Sequence, residues 1–261
     1  MPVNALEIRL GGAVIRGVPA DLSQPWGCFV KPKGFQGWEG ITDRRREQVA
    51  RAVEHGEHDV PVLLGARVVT IDGWIIAPNE RELRAYARQI TGTGGDGERL
   101  AVTVDHQGET LHARGRVVSA SVDDEGERIG WYLRASFQIQ IVFADPRRYG
   151  PTTRFPASGT ATINDVYQYG NFPAHPVVEF PTGAPTGWVL TAPGSRRLQV
   201  AGAPSGGLQR FDMRTGRLTR DGVDVTDQAT ITGDIWAVPV GATWRHTLDT
   251  PGRILLPETY I

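Results

Sequence analysis

The sequence is poor in the residues that most often carry chemistry. One cysteine, Cys28, stands in 261 residues, which excludes an intrachain disulfide and with it a disulfide-stapled secreted scaffold. No apolar run approaches the length a transmembrane helix needs. The first residues, MPVNALEIRLGGAVIRG, alternate apolar and polar side chains instead of forming the continuous core of a signal peptide, so a soluble product made in a cytoplasm is expected. Charge of either sign is not in surplus. The formal net charge is −1, and each half of the chain is nearly balanced, which argues against a nucleic-acid-binding or anionic-membrane-binding surface built from bulk charge. Lysine is almost missing. Lys31 and Lys33 are the only two among 28 basic residues, an arginine bias that fits a GC-rich genome. Catalytic signatures are missing too: there is no G-x-S-x-G, no H-E-x-x-H and no Walker loop.

What the sequence has in quantity is glycine (32) and proline (18), beside 40% hydrophobic residues, the mixture of a turn-rich β protein. Period-two alternation places Leu6, Ile8 and Leu10 on one face. It recurs over 66–77, over 99–122 with turns near 106–108 and Gly115, and over 130–144. The Asp72–Gly73 pair interrupts the second run and reads as a turn or bulge. One segment is helical: Asn79 is a good N-cap, Glu82 completes a capping box, and Leu83, Tyr86, Ala87 and Ile90 form a stripe, so a helix is expected over 79–91. Residues 43–55 have helix-forming composition but only a thin apolar stripe (Val49, Val53), and their structure is left open.

GTGGDG at 92–97 satisfies the G-x-G-x-x-G expression for a dinucleotide loop. It follows a helix and precedes a strand, the reverse of the order a phosphate loop requires, so it reads as a helix end and no nucleotide or other cofactor is expected. Past residue 150 the texture changes. A Pro/Gly/Ser/Thr-rich stretch at 151–165 reads as a linker between a domain over 1–150 and a second over 166–261. The second contains short apolar runs separated by turn residues, as a β-sandwich does.

Weak candidates for chemistry remain. His55, His58 and Asp59 could chelate a metal on a turn, but no third and fourth ligand is signalled, and a solvated loop is the simpler reading. Asp123, Asp124, Glu125 and Glu127 could be imagined as a glycosidase acid pair; around a glycine between strands they read as a hairpin tip. Cys28 needs a histidine brought near it to act as a nucleophile. Trp188, Trp236 and Trp244 could stack on sugar rings or fill a sandwich core. No catalytic constellation assembles from these residues, which points to a binding or structural role and not to an enzyme.

FQIQIVFADPRRYG (137–150) carries a long strand into a turn with Asp145, Pro146 and Tyr149. It resembles the junction that closes the N-terminal domain of siphophage distal tail proteins. Further pieces follow in that family's order: the strand–helix unit 66–90, the entry YGNFPAHPVVEFPTG (169–183) with Asn171 and Pro176, and IWAVPVGATW (235–244) with Trp236, Pro239 and Gly241, Val240 lying between the last two. The resemblance implies a mainly β chain: an N-terminal β-sandwich with one helix, and a C-terminal galectin-like β-sandwich. It also implies a homohexameric ring at the tail tip, which joins the tail tube protein to the tail-associated hub protein and lets DNA pass through its lumen without specific binding. No metal and no membrane enter that picture. A carbohydrate-binding module or host-wall adhesin, in contact with cell-wall glycan through the second sandwich, is the alternative.

Overall fold

Alternation of buried and exposed side chains governs nearly every strand of the computed structural model, which describes residues 6–17, 25–45, 51, 53, 55, 58–123 and 126–261. The chain divides into two units, Met1–Arg148 together with Ile261, and Tyr149–Tyr260.

In the first unit the strands are β1 (Leu6–Leu10), β2 (Ala13–Arg16), β3 (Gly27–Gln36), β4 (Arg44–Arg45), β5 (Leu63–Leu64), β6 (Arg67–Ala77), β7 (Leu100–His106), β8 (Glu109–Val122), β9 (Glu127–Ile129) and β10 (Tyr132–Phe143), with helix α1 (Glu80–Gly92) between β6 and β7. Seven of them close on themselves. β1 pairs β7, β7 pairs β8, β8 pairs β10, β10 pairs β6 and β6 pairs β3, all antiparallel. The ring is completed by a short parallel match of β3 with β2, at Ile15↔Cys28 and Arg16↔Phe29, and by β2 with β1. The ladders of this unit therefore close into a barrel, where the resemblance implied a β-sandwich. Alternation cannot distinguish the two, because a barrel strand and a sandwich strand both hide every second residue. Closure also removes the free strand edges that a sandwich would have offered to a neighbouring subunit.

The buried positions carry Ile8, Leu10, Ile15, Ile71, Ile75, Val102, Val104, Phe137, Ile139, Ile141 and Phe143, each at most 3% exposed. Each such side chain contributes about 1.5–3 kcal/mol of transfer free energy, so this filling is the main stabilising term of the unit. Helix α1 begins where the sequence places it: the Asn79 side chain accepts from the backbone N–H of Glu82 at 3.0 Å. It packs against β6, β8 and β10 and buries Ile90 completely. Gly92 is its last residue, and Thr93 caps it by donating to the Ile90 carbonyl, so GTGGDG is the end of a helix.

Two local readings are corrected. Asp72–Gly73 is neither turn nor bulge, since β6 runs unbroken from Arg67 to Ala77. Gly115 lies inside β8, which runs without a turn from Glu109 to Val122. Of the segment 43–55, Arg44 and Arg45 form β4, paired with β5. The helical reading of its remainder lies largely outside the described residues.

The second unit holds β11 (Arg148–Phe155) from its second residue on, β12 (Ala161–Tyr167), β13 (Val177–Phe180), β14 (Trp188–Ala192), β15 (Arg196–Ala201), β16 (Gln209–Asp212), β17 (Arg217–Arg220), β18 (Val223–Asp224), β19 (Thr230–Gly233) and β20 (Thr243–Tyr260). One ladder runs β12–β20–β14–β15–β19 and another β20–β13–β16–β17–β18. The 18-residue strand β20 serves both, its Thr243–Leu248 part in the first and Arg253–Leu255 in the second. Between the ladders lies a core that includes Phe180, Trp188, Leu190, Phe211, Leu218, Trp236 and Ile254. The expected linker 151–165 is a correction as well: 151–155 and 161–165 are strand, in β11 and β12. Thr152 and Thr162, which read as linker composition, are there exposed residues of ladder strands.

Candidate functional site

The outer wall of the barrel along β6, β10 and β8 is the surface that the fold displays most deliberately. Directly paired residues share a face, and the pairs that point outward include Gln140 with Thr70 and Ser119, Gln138 with Asp72 and Ser121, and Ser136 with Trp74, with Val142–Val68–Arg116 at one end of the same face and Arg134–Ile76 at the other. The middle of the wall is thus hydroxyl and amide, and Arg116 and Arg134 stand toward its ends. Gln138 donates to Asp72 Oδ1 at 2.8 Å. Trp74 lies between two cations, Lys31 Nζ 5.8 Å and the Arg134 guanidinium 5.5 Å from its ring centre, and Arg134 is paired with Glu127 at 2.7 Å.

A second construction holds the exit of the first unit. Arg67, 1% exposed, donates from Nε to the Pro146 carbonyl (2.8 Å), from Nη1 to those of Gly37 (2.8 Å) and Trp38 (2.7 Å), and from Nη2 to that of Gly40 (3.1 Å). Burial, with the neighbouring Arg148 charge, lowers its pKa to about 10, against the raising influence of Glu39. Arg148 stacks on Trp38 at 5.8 Å and bonds Glu39 at 2.5 Å and the Ile261 carbonyl at 3.0 Å. Of the turn residues, Asp145 accepts from the backbone N–H and the guanidinium of Arg147, and Pro146 supplies the carbonyl that Arg67 holds. The turn is a structural clamp. Nothing in the sequence pointed to Arg67, because a lone arginine at the start of a strand carries no signature.

The other motif residues lie in the second unit. Tyr149 Oη accepts from Arg214 at 3.0 Å, and the guanidinium also sits over its ring. Asn171 is exposed, next to Phe172, whose N–H bonds the Thr259 carbonyl; Pro176 is buried, and its carbonyl accepts from Met213. Trp236 Nε1 donates to Nε2 of the fully buried His246 at 3.0 Å, while Pro239 and Gly241 flank Val240, which bridges Gln168. Burial lowers the His246 pKa, opposed by its bond to the Trp244 carbonyl.

The weak chemical candidates separate clearly. Trp188 and Trp236 are 2% and 4% exposed, and Arg196 covers the Trp244 ring at 5.0 Å, so these three tryptophans present no open stacking platform to a sugar. Cys28 lies in the wall of a cleft of about 130 Å³ with Val14, Arg16, Trp26, Gly27, Tyr86 and Gln89, without a histidine. Burial pushes its thiol up to about 12, which makes it a poor nucleophile. Among the described residues no three His, Cys, Asp or Glu side chains gather to hold a metal, His55, His58 and Asp59 included. Asp124 and Glu125 lie outside the described residues; Glu127 is the ion-pair partner of Arg134.

No protein-family model and no curated protein matches the sequence. Solved structures do. The two-unit β fold is one shared with a phage protein of a hub adsorption apparatus. It is similar to the crystal structure of the SPP1 Dit (gp 19.1) protein, presented as a paradigm of the hub adsorption apparatus of phages that infect Gram-positive bacteria, with a TM-score of 0.71 and 15% identity over 98% of this chain and 99% of that one. A chain of the phage P2 baseplate in its activated conformation with Ca aligns over 100% and 99% at 8% identity and a TM-score of 0.49.

Proposed function

We propose that this chain is a structural virion protein of a siphophage tail tip, a distal tail ring that joins the tail tube to the baseplate hub and lets the genome leave through its lumen. The observation that carries the reading is the shared fold with SPP1 Dit over practically the whole of both chains. Motif order in the sequence, from the turn at Asp145–Pro146 to the strand entry at Trp236, supports it independently. A ring of six copies is the assembly this reading implies, with the tail tube protein and the hub protein as neighbours and no enzymatic activity.

Two features of the first unit fit such a ring. A heterologous interface must close or polymerise. With strand edges consumed by barrel closure, the contacts fall to side chains, and Ile41, Val62, Leu63 and Val68 are 47–59% exposed on this unit. The hydroxyl- and amide-rich middle of the wall of β6, β10 and β8 suits a conduit, since uncharged polar groups do not trap the phosphate backbone by counterion release.

Mass measurement in solution tests the reading. A particle of roughly six times the 28.5 kDa chain, with a central hole in electron micrographs, is expected. A monomer that binds soluble cell-wall glycans would favour the adhesin reading instead.

A further inference from the structure

The only two lysines of the chain stand together in one irregularity of the barrel. Between Val30, opposite Gly73, and Phe35, opposite Ile71, four residues of β3 face a single residue of β6. Those four are Lys31-Pro32-Lys33-Gly34. They leave the ladder as a bulge built by their own chemistry. Pro32 has no N–H to give the ladder, Lys33 adopts φ +61°, and a Cβ on Gly34 would stand 2.3 Å from the Asp72 carbonyl oxygen, so only glycine lets the loop close back onto β6.

The bulge sits on the wall described above. Lys31 Nζ bonds Ser136 Oγ at 3.2 Å and leans on Trp74, which fixes it on the outer face. Lys33 is exposed. Neither ammonium has a carboxylate partner among the described residues, whereas the nearby Arg134 is neutralised by Glu127 and Asp72 is taken by Gln138. The surrounding serines and glutamines are not what a buried protein interface selects, since serine and lysine are both depleted there. A polar wall with two lysine charges that no carboxylate among the described residues neutralises, and with the exposed Arg116 on the same face, fits a hydrated polyanion.

Resting on the reading of this protein as a DNA conduit, we propose that the Lys31–Lys33 bulge contacts the phosphate backbone of duplex DNA. One or two phosphates per chain give a contact that is weak and salt-labile, strong enough to locate the passing strand and too weak to hold it.

The test is anisotropy of a labelled 20-base-pair duplex with the full-length protein, from 20 mM salt upward, with particle mass measured on the same samples. The parent is expected to bind at the lowest salt. Lys31→Gln with Lys33→Gln is expected to weaken binding by about fivefold or more and to reduce the salt slope by about one to two. Lys33→Gln alone, which leaves the Ser136 bond intact, is expected to show an intermediate loss. Arg217→Gln with Arg220→Gln in the second unit removes the same charge and is expected to leave binding unchanged. The proposal is overturned if the parent does not bind, if the lysine variant binds like the parent, or if a polyglutamate peptide of equal charge uses the same lysines and the duplex does not. The mass is a separate readout: a parent that fails to form a ring sinks the conduit reading, while an intact ring indifferent to the lysines sinks only the DNA contact.

Discussion

Phe137 lies directly opposite Gly73 in the β10–β6 ladder, and its ring occupies the place of the missing side chain. A Cβ on Gly73 would stand 2.2 Å from Cζ of Phe137 and 2.5 Å from the Phe29 carbonyl oxygen. The aromatic ring shields a glycine that would otherwise weaken the strand, and the pair is one of the registers that pin β6 against β10. Gly73→Ala is therefore expected to destabilise the chain by about 3 kcal/mol, at the upper end of overpacking costs. Denaturant melts would measure it. The Phe137→Leu partner should recover part of the loss in the double variant, and strictly additive effects would contradict the contact.

The same pair shows where the sequence stops being readable. Asp-Gly is the strongest short hairpin signal, whereas here the glycine is a strand residue covered by a ring 64 residues further along the chain. Helix α1 was legible because its cap, stripe and end are local. Barrel closure was not, because it depends on two residue pairs between β2 and β3 across intervening chain. The threonines of β11 and β12 resembled a linker because outward ladder positions and linkers share a composition. At the candidate surface, Asp145 and Pro146 were visible as a turn, but Arg67, the residue that grips that turn, was silent. The scarcity of lysine was plain in the sequence, yet its meaning required knowing that residues 31–34 leave the ladder.

Arg67 offers a sharper test of the clamp. Its four carbonyl partners come from two segments, Gly37–Gly40 and Pro146, that have no ladder to each other. Arg67→Met keeps much of the apolar stem and leaves four carbonyls short of a donor, that of Trp38 buried and the others partly open to water, which should cost about 2 kcal/mol. Arg67→Lys should recover little, because three donors on one nitrogen cannot span a planar fork. Chemical melts of the three proteins decide it, and a lysine variant as stable as the parent would show that charge alone suffices.

If the exposed apolar residues of the first unit are ring contacts, charge placed there should break the ring and spare the fold. Leu63→Asp and Val68→Asp, at sites 53% and 47% exposed, are expected to change the melting free energy of the isolated chain by no more than about 0.5 kcal/mol. Their particle mass should fall toward that of a single chain. Loss of assembly accompanied by loss of fold, or no change in mass, would remove these residues from the interface.

Acid should loosen the second unit before it does anything to its carboxylates. His246 is buried and neutral, accepting from the Trp236 indole at Nε2, so the folded chain resists the proton that the unfolded chain takes up. Its pKa is lowered on folding from the ordinary 6.5, so the stability it contributes is whole above that value and is given up as pH falls below it toward the depressed folded-state value. Glu179 follows at lower pH. Burial alone would raise its pKa, but hydrogen bonds from Arg210 and Arg253 outweigh that and lower it. Its contribution is present above the ordinary 4.5 and lost as pH falls through the folded-state value. His246→Gln preserves an acceptor for the indole and removes the titration. It should therefore flatten the fall in stability between pH 6.5 and 5, a window set by the ordinary histidine value, while His112→Gln, another histidine whose pKa burial lowers, serves as the control in the first unit. Melts at half-unit pH steps, followed by tryptophan emission, measure the slope. An unchanged slope in His246→Gln would mean that the buried imidazole is not the group through which acid acts on this unit.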